Sequence, residues 1–360
     1  MPPPDGAPGK PQSASRLAIV DLLRVVAALS VMWYHFGFRT RSELVRSTSH
    51  WGFVGVQVYF VVSGFIIPWA LARGGFSWPR DGGRFILKRT LRLDPPYLVA
   101  SAIAALLIWL EWRYLGSVGP EPTFPWTTTL AHLGYLNGVL RLGWYNGNCW
   151  TLGIECQFYL AAAALLPLIL SPSPVVQIGF HAIGLAASLA AVDLVTGPAA
   201  VHSPWLLQWL PLFLMGIAAF ERVSGLITTP ALVCTVSAAG IVAAATGSPA
   251  GAFAGALASL AIASLSVPHH PAIMAAASLT YSFYLLHEPI GSRAVSLVSR
   301  CGSGPLVDAA ALAAGIGSSL VAAWLLFVLV ERPALAWASR IRYSQANAPP
   351  PSVFLPSGAD

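Results

Sequence analysis

The chain has 360 residues, of which 56% are hydrophobic and only 9% are charged, and its mean hydropathy is +0.67. Soluble globular domains carry roughly 25% charged residues, so this composition excludes a soluble domain and predicts an integral membrane protein. The four cysteines form no CxxC pair and show no metal-ligand spacing, which predicts neither a disulfide framework nor a bound metal.

Ten apolar runs along the chain are long enough to cross the ~30 Å hydrocarbon core of a bilayer as helices. They cover residues 17–38, 53–72, 95–115, 150–170, 175–195, 205–220, 230–246, 251–267, 273–290 and 306–330. Small, weakly polar residues separate the seventh run from the eighth, so these two have the least distinct boundaries. The pattern predicts an all-α polytopic membrane protein with about ten transmembrane helices.

Basic residues orient these spans, because the cytoplasmic loops of membrane proteins accumulate Lys and Arg. With the amino terminus in the cytoplasm, twelve basic residues fall on the cytoplasmic side and seven fall outside, while Arg24 lies within the first span. We therefore predict that both termini are cytoplasmic. The net charge of +6 is then explained by membrane topology, and no nucleic-acid partner is predicted.

The first span, "DLLRVVAALSVMWYH", carries ionisable residues near both of its ends. Arg24 and His35 are eleven residues apart, which is close to three helical turns, so they share a face about 16 Å apart along the axis. Asp21 shares that face and can pair with Arg24. Ionisable residues inside spans are costly and usually mark function. A snorkelling ion pair at one end and a hydrogen-bonded interfacial histidine at the other would give the same pattern.

The basic segment 83–97, "GRFILKRTLRLDPPY", lies on the predicted cytoplasmic side. Arg89 and Arg92 are three residues apart, with Lys88 beside them, so a helical turn would direct two guanidinium groups toward one anion. Guanidinium groups bind phosphate through paired hydrogen bonds, which suits a phosphorylated ligand. The bias toward basic cytoplasmic segments would place the same residues here without any ligand.

The fourth span begins with "NCWTLGIECQFYL", which contains a carboxylate. Glu155 and Tyr159 are four residues apart and share a helix face, and a carboxylate this close to an apolar span normally has a partner. Trp150 is either a substrate-binding residue or a member of the interfacial aromatic belt. We predict that this segment lies at the outer mouth of the span and binds substrate.

A second polar cluster occurs in "SLTYSFYLLHEP". Tyr281, Tyr284 and Glu288 follow helical spacing on one face, with His287 beside them at the outer end of the ninth span. Tyrosine and histidine are also common interfacial residues. The pattern is therefore compatible with substrate binding by Tyr284 and His287 and with a purely structural role.

Five motifs follow one another in a characteristic order. They are the R-x10-H spacing in "DLLRVVAALSVMWYH", then "WGFVGVQVYFVVSGF", "KRTLRLDPPY", "WTLGIECQFY" and "TYSFYLLHEP", and "VERP" comes after them. Together they resemble the acyltransferase 3 family of integral membrane O-acyltransferases, in which the third motif is a basic loop. Tyr59 and Cys156 depart from the usual family residues, a phenylalanine and a second acidic residue, without removing a group on which the assignment depends.

The resemblance covers residues 17–333 and implies one transmembrane acyltransferase domain. Residues 1–16 are then a cytoplasmic segment, and residues 334–360 form a cytoplasmic, mostly disordered tail. The implied activity is transfer of an acyl group, usually acetyl, from cytoplasmic acetyl-CoA or another acyl-CoA to a hydroxyl of a glycan or glycosylated small molecule. The implied location is a bacterial inner or plasma membrane.

Such a transfer needs a base, a group that stabilises a tetrahedral oxyanion, and residues that bind the phosphates of coenzyme A. The expected catalytic residues are His35 as the base, Arg24 as the group that orients the donor or stabilises the oxyanion, and Glu155. The expected donor-binding residues are Arg89, Arg92 and Lys88. The expected substrate-binding residues are Trp150, Tyr159, Tyr284 and His287. No metal is expected.

Two sets of alternatives follow from these positions. In this topology the arginine pair and His35 lie on opposite sides of the bilayer midplane, so the donor either threads between helices or passes its acyl group to a covalent intermediate. The ionisable residues would also suit a transporter or flippase for a glycolipid, with Arg24, His35 and Glu155 as a relay. The inverted repeats typical of transporters are not evident in the sequence.

Overall fold

The computed structural model describes residues 12–115, 120–191 and 204–344. Within these ranges the chain forms helices and no β-strand, which confirms the predicted all-α class. The α-helices are α1 (Gln12–Gly37), α2 (Glu43–Ser49), α3 (Val54–Arg73), α4 (Trp78–Leu115), α5 (Trp126–Leu133), α6 (Trp150–Ala164), α7 (Leu166–Ile169), α8 (Pro174–Ala190), α9 (Leu206–Val223), α10 (Thr229–Thr246), α11 (Pro249–Ser264), α12 (Pro271–Leu286), α13 (Arg293–Val298), α14 (Pro305–Leu326) and α15 (Arg332–Ser339). Two π-helical turns, His287–Ser292 and Phe327–Glu331, follow α12 and α14.

Each predicted span overlaps a helix, but the helices differ in length. Among the described residues, six helical segments are long and apolar enough to cross a membrane. These segments are Ala18–Gly37, Glu43–Arg73, Trp78–Tyr114, Leu206–Val223, Thr229–Thr246 and Pro305–Ser339. A multi-pass membrane protein is therefore confirmed. Since α8 and α11 are apolar but shorter, the count of ten spans stays a prediction.

Proline residues interrupt two of the predicted spans. The span predicted over 150–170 is divided between α6 and α7, because Pro167 lacks an N–H and its ring collides with the carbonyl four residues earlier. Pro289 lies within the π turn that follows α12. This turn directs the side chain of His287 into the bundle, where it is 1% exposed.

The basic segment belongs to the longest helix of the structure. α4 has 38 residues and is therefore about 57 Å long, well beyond the ~30 Å of a hydrocarbon core. The predicted span 95–115 is its second half, and Pro95 and Pro96 are accommodated within it. The helical turn predicted for Arg89 and Arg92 is therefore confirmed, and it belongs to a continuous helix that runs into the bundle instead of a loop.

The centre of the bundle is the crossing of α3 and α9, where two glycines allow backbone contact. A Cβ atom on Gly64 would collide with the carbonyl oxygen of Phe213, and one on Gly216 would collide with that of Val61. Small residues permit such close approach of helices in membranes. The crossing fixes the position of Ser63, the residue before Gly64, inside the bundle.

The segment after α15 binds back to the start of α4. The buried carboxylate of Asp81 accepts hydrogen bonds from the backbone N–H and the hydroxyl of Ser344, both at 3.0 Å. It also accepts one from Arg80 Nη2 at 2.8 Å, and the ring of Tyr343 packs against Phe76 with the centroids 5.2 Å apart. The α3–α4 turn and the segment after α15 therefore lie at one end of the bundle, here named the Asp81 end.

Candidate active site

A cavity of about 220 Å³ lies at the centre of the bundle. Its walls are formed by α1, α3, α4, α6, α12 and the π turn after α14. Six ionisable side chains line it, which is a costly concentration of charge in a membrane bundle and therefore indicates function. They are Asp21, Arg24, Arg89, Arg92, Glu155 and Glu331.

Glu155 is held by two hydroxyl donors from different helices. Its Oε1 accepts a hydrogen bond from Ser63 Oγ at 2.9 Å, and its Oε2 accepts one from the Tyr159 hydroxyl at 2.5 Å. The guanidinium of Arg89 lies over the Tyr159 ring, 4.5 Å from the centroid. Tyr159 therefore connects the carboxylate of α6 to an arginine of α4, and its position four residues after Glu155 makes the contact possible.

Arg24 faces the same cavity from α1. Its guanidinium is 3.8 Å from the carboxylate of Asp21, as the spacing of three residues predicted. The carbonyl oxygen of Arg24 accepts a hydrogen bond from the Tyr59 hydroxyl at 3.0 Å. Both side chains of the ion pair keep somewhat over a quarter of their surface exposed, so the guanidinium remains available to a ligand in the cavity.

Arg89 and Arg92 of α4 line the same cavity as Glu155 of α6, although the predicted topology placed the arginines and the carboxylate at opposite ends of the bundle. Arg89 and Arg92 reach Glu155 because α4 carries them into the bundle and because Glu155 is more than one turn inside α6. Lys88 does not line the cavity. Its ammonium group lies over the ring of Tyr343, 5.2 Å from the centroid, at the Asp81 end.

His35 does not line the cavity. It lies in the last turn of α1, and the end of the bundle around it is here named the His35 end. Its ring meets that of His287 edge-on, with the centroids 5.3 Å apart. His287 Nδ1 is 2.9 Å from the carbonyl oxygen of Tyr284, so Nδ1 carries a proton and donates it. Nε2 then accepts from the Asn148 amide, 3.4 Å away. The structure thus pairs two histidines that are 252 residues apart in the sequence.

Tyr284 separates the cavity from the histidine pair. It lines the cavity, and its hydroxyl is 2.6 Å from Thr151 Oγ1 and 2.8 Å from the carbonyl oxygen of Asn148. The backbone oxygen of the same residue holds His287. Tyr284 is therefore the direct structural connection between the charged cavity and the His35 end.

Trp150 is the remaining predicted site residue, and it does not line the cavity. Its ring packs against Trp209 and Phe60, with centroids 5.3 Å and 6.5 Å away. These contacts belong to the apolar core around α3 and α9.

Glu331 and Ser63 are two of the polar cavity residues that were not among the predicted site residues. Glu331, in the "VERP" motif, is 6% exposed, and its Oε2 accepts a hydrogen bond from Ser282 Oγ at 2.5 Å. The sequence signal was an acidic residue at the end of an apolar run. Ser63 belongs to the quoted segment "WGFVGVQVYFVVSGF", but its own chemistry indicated no role, because a hydroxyl is unremarkable in a helix and its partner Glu155 is 92 residues away.

Comparison with known proteins decides the family. The sequence model of the acyltransferase 3 family, described as an acyltransferase domain, matches residues 17–328. The chain belongs to the acyltransferase 3 family. The predicted membership in this family and the predicted activity as a non-aminoacyl acyltransferase are thereby confirmed.

Relatives within the family differ in how much of their length they share with the chain. Acyltransferase MdmB of Streptomyces mycarofaciens is 27% identical over 95% of this chain and 97% of its own length. The putative peptidoglycan O-acetyltransferase YrhL of Bacillus subtilis is 27% identical over 39% of this chain. The peptidoglycan O-acetyltransferase OatA of Listeria monocytogenes is 26% identical over 41% of it. The matched regions are only 22% and 24% of those two proteins.

No solved structure matches the chain. In the ranges that the structure describes, no three His, Cys, Asp or Glu side chains are grouped so that they could hold a metal ion.

Proposed function

We propose that the protein transfers an acyl group, acetyl in the simplest case, from a cytoplasmic acyl-CoA to a hydroxyl of a glycan or glycosylated small molecule. The observation that carries this proposal is the cavity inside an apolar bundle that Arg24, Arg89, Arg92 and Glu155 line together. An acyltransferase needs an anion-binding site for its donor, and coenzyme A is an acyl carrier with phosphate groups. Arginine is the residue best suited to bind phosphate.

The donor occupies the cavity with its phosphates toward the Asp81 end. Arg89 and Arg92 bind the phosphates, and Lys88, outside the cavity, adds positive charge on the approach to it. Arg24 orients the thioester of the bound donor, since its guanidinium lines the same cavity. Glu155, held by Ser63 and Tyr159, orients Arg89 through the Tyr159 ring.

The acceptor hydroxyl approaches from the His35 end. His35 removes its proton, because an imidazole is both a base and an acid near neutral pH. The hydroxyl oxygen forms the ester bond to the acyl carbon, the carbon–sulfur bond of the thioester breaks, and the proton passes from the imidazole to the leaving thiolate. His35 lies about 16 Å from Arg24 along α1 and outside the cavity, so the acyl group moves toward His35 before the transfer, either with the thioester threading past Tyr284 or on a covalent intermediate.

The acceptor class is supported by the relatives. Two of them carry names that describe O-acetylation of peptidoglycan, and the aromatic and histidine side chains at the His35 end suit a sugar hydroxyl. Tyr159, Tyr284 and His287 are the proposed substrate contacts of this site, with Trp150 supporting it from the core. We further propose that residues 17–333 form the acyltransferase domain and that segments 1–16 and 334–360 are cytoplasmic.

Turnover by the full-length protein, purified into lipid nanodiscs, tests the proposed function. The protein is incubated with acetyl-CoA that is isotopically labelled in the acetyl group, together with peptidoglycan fragments, oligosaccharides or glycosylated small molecules. We expect release of free coenzyme A and a mass shift of one acetyl group on one acceptor class. A thioester that stays intact with every acceptor would contradict the proposal and favour the transporter hypothesis.

The orientation of the bundle can be measured by cysteine labelling. In a background without the native cysteines, Ser303→Cys should react with a membrane-impermeant thiol reagent added to intact cells, whereas Gly83→Cys and Ser339→Cys should react only after permeabilisation. All three positions are exposed, and a side chain at Gly83 meets no atom within 4 Å. Labelling of Gly83→Cys in intact cells would place the arginine cavity on the wrong side for cytosolic coenzyme A.

A further inference from the structure

A second, smaller cavity adjoins the charged one between α4 and α6. It encloses about 70 Å³ and shares five lining residues with the larger cavity, among them Arg89, Leu93 and Glu155. The two spaces are therefore neighbours across a common wall of side chains at the proposed reaction centre. The smaller cavity is here named the side pocket.

Most of the surface of the side pocket is apolar. Phe85, Leu152 and Cys156 contribute to its lining. Both carboxylates in its lining already accept hydrogen bonds from within the bundle: Asp94 from the Tyr135 hydroxyl at 2.7 Å, and Glu155 from Ser63 and Tyr159. A space of this kind favours a hydrocarbon group over a polar one.

The outer edge of the side pocket reaches the surface of the bundle. Ile86 of α4 and Leu160 of α6 line it and are 46% and 42% exposed. The pocket therefore leads from the charged cavity to the surface of the bundle.

We propose that the side pocket holds the alkyl part of the donor's acyl group, so that Cys156 and its neighbours set the acyl-chain specificity. This inference rests on the proposed function, which places the thioester carbonyl beside Arg24 and Glu155. An apolar cavity of about 150 Å³ accommodates the six carbons of benzene, so 70 Å³ accommodates about three carbons. The protein should therefore use butyryl-CoA as well as acetyl-CoA, with longer chains emerging between Ile86 and Leu160.

Donor competition by the purified full-length protein tests this assignment. Each buried methylene should strengthen binding about fourfold, so wild-type protein should show a KM for butyryl-CoA roughly 15-fold below that for acetyl-CoA. In the variant Cys156→Phe, whose ring fills the pocket, the butyryl-to-acetyl ratio of kcat/KM should fall at least tenfold. Leu168→Phe is the control for adding a ring to the bundle, because Leu168 is exposed on the bundle surface and lies outside both cavities.

Alkylation of Cys156 gives a second readout that does not depend on turnover. In a Cys234→Ser, Cys301→Ser background the two exposed cysteines are removed, and Cys149 is fully buried. N-ethylmaleimide should then modify Cys156, and butyryl-CoA should slow this reaction several-fold more than acetyl-CoA at equal saturation.

The possible results separate this inference from the proposed function. Acetyl transfer with no use of butyryl-CoA, or an unchanged donor ratio in Cys156→Phe, would overturn the acyl pocket and leave the proposed function intact. A raised acceptor KM in that variant with an unchanged donor ratio would assign the pocket to the acceptor instead. Absence of transfer from every donor would overturn both.

Discussion

Replacing His35 by alanine should lower kcat for acyl transfer by about 10²–10⁴-fold, the range that a general base contributes. Donor binding should stay within a factor of two of wild type, because His35 lies beyond the cavity wall formed by Tyr284 and does not line the cavity. Turnover of labelled acetyl-CoA and equilibrium binding of acetyl-CoA, measured on the same preparation, check the two parts separately.

The control for this variant is His50→Ala. His50 is exposed, and its ring packs against that of Phe38, which lies three residues after His35. It should retain full turnover. Turnover near the wild-type level in His35→Ala, together with its loss in Glu155→Gln, would assign the base to Glu155, whose carboxylate lies in the cavity itself. Loss in both would keep His35 as the base and make Glu155 the positioning residue for Arg89.

Replacing Arg89 or Arg92 by glutamine should weaken donor binding by about 10- to 150-fold each, since hydrogen bonds to charged groups contribute roughly 1.5–3 kcal/mol. The affinity of wild-type protein should also fall as salt is raised, and it should fall less in the variants, because each variant has lost one phosphate contact. Calorimetric titration with coenzyme A at two salt concentrations measures both effects.

Arg73→Gln is the matched control for the arginine variants. Arg73 is an exposed arginine at the Asp81 end of α3, and it contacts the Trp69 ring instead of the cavity. The Arg73→Gln substitution removes one positive charge from that end of the bundle, as each of the other two substitutions does. If donor binding weakens equally in Arg73→Gln, the general positive charge at this end of the bundle attracts the donor. If donor affinity is unchanged in Arg89→Gln and Arg92→Gln, both residues have a role in membrane topology alone.

Local features of this protein were predictable because neighbouring residues determine them. The apolar runs predicted helices wherever the structure describes them, since a backbone in hydrocarbon must satisfy its own hydrogen bonds. The pairs Asp21–Arg24 and Glu155–Tyr159 are in contact because residues three or four apart meet on a helix surface. The order of the motifs was sufficient for the family, because that order is a property of the sequence alone.

Long-range placement was not predictable in the same way. Positive-inside bias explained Arg89 and Arg92 as residues of a cytoplasmic loop, because the rule considers composition and ignores helix length. The structure shows a helix of 38 residues that carries them to Glu155. The contact of Ser63 with Glu155 depends on the packing of α3 against α6, and the sequence contains no periodic signal for that packing or for two glycines that meet across a bundle.

The sequence by itself determined that this protein lies in a membrane, that it is helical, which family it belongs to and most of its candidate chemical groups. Hydropathy, short spacings and motif order are local properties, so they can be read without the tertiary structure. Only the tertiary structure decided which of these groups act together: three arginines with Glu155 and Glu331 in one cavity, His35 with His287 beyond Tyr284, and Lys88 and Trp150 outside. The physical reason is that packing between distant helices places these side chains. Backbone contact at Gly64 and Gly216, the length of α4 and the π turns after α12 and α14 set their depth in the bundle.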